Sequence, residues 1–80
     1  MRAVVDVKLK DGVLDPQGKA VSHALSALGF SSVSEVRIGK QIVLEIDGSD
    51  EVQAKKDVKV MCEELLANTV IEDYDIKIVK

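Results

Sequence analysis

Eighty residues with 11 basic and 14 acidic side chains, a formal charge of −3, describe one small domain with an ordinary solvated surface. A chain this short buries only about 60–65% of the surface its unfolded form exposes, and such a core seldom supplies more than about 3–5 kcal/mol. The single Cys62 excludes an intrachain disulfide and a four-thiolate zinc site, no apolar run reaches the roughly 20 residues of a membrane helix, and two aromatics without a basic stripe exclude nucleic acid as a partner.

At the start, Ala3, Val5, Val7 and Leu9 alternate with Asp6, Lys8 and Lys10, the pattern of a half-buried strand that Asp11-Gly12 breaks. Asp15-Pro16 opens a helix: the acid caps the N-terminus and proline takes the first position, where a missing N–H costs nothing. Val21, Ala24, Leu25 and Leu28 follow at helical spacing, and Gly29 stops it, so the spacing predicts a helix from Pro16 to Leu28. Val33–Ile38 and Ile42–Ile46 read as two strands of a hairpin. A three-residue loop of Gly39, Lys40 and Gln41 keeps Ile38 opposite Ile42 and Val36 opposite Leu44, on one apolar face.

Ser49 or Asp50 caps a second helix, whose stripe is Ala54, Val58, Met61, Cys62 and Leu65, with Asn68 as its stop. Tyr74–Lys80 alternates again as a last strand. The order β-α-β-β-α-β predicts an α+β, ferredoxin-like two-layer sandwich, an antiparallel sheet with two helices on one face. Val4, Val43 and Val79 fall on the other face. A small core without disulfide or metal needs oligomerisation as its staple, so the domain is expected to dimerise through the sheet or the hairpin.

The residues able to do chemistry form no catalytic set. His23 has no triad partner, and Cys62 sits on the core stripe beside Glu63 and Glu64, where a reactive thiolate would want positive charge. No phosphate-binding loop of the GxGxxG or GxxxxGK kind occurs. The arginine and asparagine that acyl phosphatases of this topology use are not at the needed places. A lone thiol and the absence of a signal peptide at Met1-Arg2-Ala3 point to the cytoplasm. Leu66, Val70 and Ile71 exceed what the second helix needs; they either tuck under the core or face a partner.

Three segments carry a family resemblance. Lys10-Asp11-Gly12-Val13-Leu14-Asp15-Pro16-Gln17-Gly18, Val36-Arg37-Ile38-Gly39-Lys40 and the run from Cys62 to Tyr74 resemble, in order, signatures of the PurS family. That family provides the small subunit of phosphoribosylformylglycinamidine synthase, and Thr69 stands where it usually has proline. The resemblance implies a non-catalytic subunit without a cofactor of its own, in purine biosynthesis. It would associate with itself and bridge the glutaminase PurQ to the ligase PurL, whose reaction uses ATP and magnesium, assisting ammonia transfer.

Carried onto this chain, the resemblance makes Asp15, Pro16, Gln17 and Gly18 candidates for subunit contact. Arg37, Gly39 and Lys40 join them, as do Asn68, Thr69, Val70, Ile71, Glu72, Asp73 and Tyr74. Arg37 is the leading candidate, since it stands on the non-core face of its expected strand and its fork can grip carboxylates or carbonyls of a partner. A small-molecule-sensing regulatory domain of the same topology is the competing reading.

Overall fold

A computed structural model describes residues 1–80. Three strands, β1 (Arg2–Leu9), β2 (Gly39–Glu45) and β3 (Glu72–Val79), form one antiparallel sheet in the order β2-β1-β3. Helix α1 (Pro16–Ala27) joins β1 to β2, and α2 (Glu51–Met61) with a π turn at Cys62–Leu66 joins β2 to β3.

The registers sort the side chains as the alternation predicts. Ala3, Val5 and Val7 lie on one face, opposite Leu44, Ile42 and Lys40 on β2 and Ile78, Ile76 and Tyr74 on β3. Val58 and Cys62 close over Ala3, Val5 and Val7, and all five are essentially inaccessible. Each such valine contributes about 1.5–3 kcal/mol by leaving water. The reverse face carries Val4 opposite Val43, and Val79 opposite Arg2, among Asp6, Lys8, Gln41, Asp73, Asp75 and Lys77.

The helix signals hold at their starts. Asp15 caps α1 with Pro16 at its first turn, and Asp50, of the two candidates, caps α2 through the Gln53 N–H at 3.0 Å. At the end of α1, Gly29 takes a positive φ of 98°. The N–H groups of Gly29 and Phe30 then donate to the carbonyls of Ser26 and Leu25 and close the last turn.

Two expectations need correction. Val33–Ile38 is not a strand, so the sheet has three strands, the order is β-α-β-α-β and the hairpin does not exist. Gly39, Lys40 and Gln41, expected as its loop, are strand residues facing Lys8, Val7 and Asp6. The apolar matching of Val36 and Ile38 with β2 lost to a stronger anchor. The Ile38 N–H donates to the Asp15 carboxylate at 2.7 Å, so the segment is tied to the start of α1.

The helices also differ in placement. α2 lies along β3, whereas Gly18 is the one buried residue of α1. Together α1 and the returning residues 28–38 stand out as an arm. The chain measures 49 × 26 × 14 Å with a radius of gyration of 16.1 Å, against about 12 Å for a globular chain of this length.

Candidate functional site

The three segments singled out in the sequence meet at one end of the sheet, where β1 runs out and β2 and β3 begin. Asp15 is the centre of the first. Its carboxylate accepts from the Gly18 N–H at 2.8 Å, capping α1, and from the Ile38 N–H at 2.7 Å, 23 residues away. The Gly18 and Ile38 N–H groups, helped by the Arg37 charge, hold the Asp15 carboxyl below its ordinary range. Gly18 has a packing reason: a Cβ there would stand 2.0 Å from the Val36 carbonyl oxygen. Pro16 and Gln17 remain exposed.

Arg37 grips carbonyls, as its fork geometry suggests, but they belong to its own chain. It donates to the Val13 oxygen at 2.8 Å and the Lys10 oxygen at 3.0 Å. Gly39 is needed for close approach, since a Cβ would come within 2.8 Å of the Val7 carbonyl oxygen. Exposed Lys40 follows it. Lys8, Arg37, Lys40, Asp6, Asp73 and Asp75 line an open groove of about 580 Å³ in which neither sign of charge prevails.

The third segment is a turn closed on itself. The Glu72 carboxylate accepts from the Asn68 N–H at 2.7 Å, and the Asn68 side chain accepts from the Val70 N–H at 3.2 Å. The Asn68 carbonyl takes the N–H groups of Ile71 and Glu72. None of these bonds involves Thr69. The turn is sewn to the first segment by the Lys10 N–H on the Ile71 carbonyl at 2.8 Å and by the Lys10–Asp73 ion pair at 2.9 Å.

Tyr74 faces the core side and donates its hydroxyl to the Glu63 carboxylate at 2.7 Å, which pushes the phenol up to about 12. Burial and the neighbouring Glu63 push the Cys62 thiol up, away from nucleophilic use.

The segment Leu66–Ile71 divides between its two readings: Leu66 packs on the core, while Val70 is 82% exposed. Leu14, inside the first family segment though not among its contact candidates, is 86% exposed. Asp15, Arg37, Lys10, Asp73 and Glu72 thus find partners within the chain, while Leu14 and Val70 are turned outward. No helix is long and apolar enough to cross a membrane.

Comparison with known proteins agrees with the motifs. The family model "PurS: Phosphoribosylformylglycinamidine (FGAM) synthase" matches residues 2–80. The PurS subunit of Bacillus subtilis is 57% identical over 70 residues, covering 88% of this chain and 82% of the relative. That of Methanocaldococcus jannaschii is 47% identical over 79 residues, covering 99% and 95%. A crystal structure of B. subtilis PurS superposes with a TM-score of 0.89 at 51% identity, covering 99% of this chain and 98% of that one. A chain of the PurLQS structure from Thermotoga maritima superposes with a TM-score of 0.85 at 34% identity, covering 95% and 93%.

Proposed function

The chain belongs to the PurS family and is a subunit of FGAM synthase in purine biosynthesis, and from that premise we propose that residues 1–80 act as one non-catalytic bridging domain. It joins a PurQ-type glutaminase to a PurL-type ligase, as the name of the T. maritima assembly suggests for that relative, and assists the passage of ammonia between them. It works in the cytoplasm, associates with itself and needs no cofactor. ATP and magnesium belong to the ligase.

One observation supports this reading above the others. At the end of the sheet where the three family segments meet, Asp15, Arg37 and the Lys10–Asp73 pair are satisfied internally while Leu14 and Val70 stand free. Asp15, Arg37 and Asn68 shape that end, and the partners are met by what they hold out. Reconstitution tests the reading. Ligase and glutaminase mixed with this chain should show glutamine-dependent synthesis. Without it that rate should collapse, while ammonia-driven synthesis by the ligase persists. Full glutamine-dependent activity from the two partners alone would overturn it.

A further inference from the structure

Leu14 is the most exposed of the large apolar side chains, at 86%, and the backbone on both sides of it is fixed. The carbonyl of Val13, in the peptide that leads into Leu14, accepts from the Arg37 guanidinium at 2.8 Å. The same guanidinium holds the Lys10 carbonyl at 3.0 Å, and that carbonyl also takes the Val13 N–H at 3.1 Å and closes the turn. On the far side, the Asp15 carboxylate is held by the Ile38 N–H at 2.7 Å and the Gly18 N–H at 2.8 Å. Two consecutive residues, Arg37 and Ile38, thus grip the neighbours of Leu14 from 24 and 23 residues away.

A leucine in a free loop turns toward apolar cover, because its methyl groups gain by leaving water. Leu14 is denied that move. The ordering of a contact residue is completed in folding, before any partner arrives, which is the property of a preorganised anchor. Val70, at 82% exposure, is placed differently: its N–H is held by the Asn68 side chain of its own turn, two residues away.

The surroundings of Leu14 set what can receive it. Lys19 and Arg37 offset Asp15 and Glu35 beside it, alongside Ser22 and Ser34, so the rim carries both signs in balance. The matching socket is apolar and has no net charge. This chain's own larger grooves are lined by charged side chains, so a second copy offers no such socket.

We propose that Arg37 is a positioning residue: with Asp15 it holds Leu14 out as a rigid anchor for an uncharged apolar pocket on a protein partner in the synthase complex. The proposal rests on the bridging role put forward above and deepens it. It also gives a reason for an arginine whose fork is used on its own chain.

Titration of this chain into ligase and glutaminase tests it, read as the concentration that half-saturates glutamine-dependent synthesis. Leu14→Asp should raise that concentration at least about tenfold, because it carries a charge into an apolar pocket. Leu14→Met, apolar and of similar volume, should stay within about threefold of the native chain. Arg37→Ala should raise it at least about threefold alone and add nothing in a Leu14→Ala chain, since a residue that acts through another has no effect once the other is gone. Circular dichroism and light scattering of each variant should match the native fold and self-association.

An unaltered value for Leu14→Asp would overturn the anchor and leave the bridging role standing. An Arg37→Ala effect that persists in the Leu14→Ala chain would make Arg37 merely structural and overturn its positioning role. Altered self-association of Leu14→Asp would move the contact to a second copy and overturn the partner pocket. Synthesis that does not depend on this chain at all would overturn the bridging role itself.

Discussion

The two helices obey the same local rules and end in opposite circumstances. Each starts on an aspartate cap and carries an apolar stripe. α2 buries Ala54, Val58 and Cys62 and shows water Lys55, Lys56, Asp57 and Lys59. α1 buries Gly18 and shows water alanines, Val21 and Leu28. The difference teaches that a helix's outer face records what it will meet. α2 is charged because it meets solvent for good. The exposed face of α1 carries Lys19 as its one Lys, Arg, Asp or Glu side chain, and is otherwise made of small, polar and apolar residues.

The most damaging way to break the contrast is at its packed side. Val58→Asp puts an unpaired carboxylate at a position with no accessible surface. It should cost about 4 kcal/mol or more, enough to lose cooperative thermal unfolding by circular dichroism. An acid at an exposed position of α2, as in Val60→Asp, should move the midpoint little.

A smaller effect is expected at the root of the arm. Gly18→Ala drives a methyl into the Val36 carbonyl, so the return segment must shift, at about 1–3 kcal/mol. The sheet should survive. Amide exchange should quicken at Ile38, whose N–H is held by Asp15, and stay slow at Val58. Equal loss at both positions would mean that arm and sheet unfold together.

The smallest effect belongs to Tyr74. It is the single tyrosine in a chain without tryptophan, so its ionisation is read directly in ultraviolet absorbance. The folded phenol should titrate near 12 rather than 10, and Glu63→Gln should bring it back down. Because the folded value is the raised one, this stabilisation is whole below pH 10 and is lost as pH climbs from 10 towards 12.

What could be read without coordinates was local. Asp15-Pro16, Asp50 and Gly29 mark helix ends because capping acts within a few residues. The alternation in β1 and β3 sorts two faces because side chains point up and down in turn. The family motifs picked out three segments of the chain, since their order and spacing are visible in a single sequence. The hairpin failed on the same kind of evidence. Val36 and Ile38 alternate acceptably, yet a strand also needs a partner, and the Ile38 N–H found the Asp15 carboxylate.

The sequence by itself determined the α+β class, the helix starts, and Ala54, Val58 and Cys62 of the core stripe, whereas Met61 and Leu65 of the same expected stripe are exposed. Only the tertiary structure decided that β1 is the central strand, that Arg37 grips its own chain, and that α1 leaves the sheet. Those outcomes depend on contacts between residues far apart in the chain, from Asp15 with Ile38 to Arg2 with Val79, where several partners of similar chemistry compete. Position in space, not residue type, settles which donor reaches which acceptor.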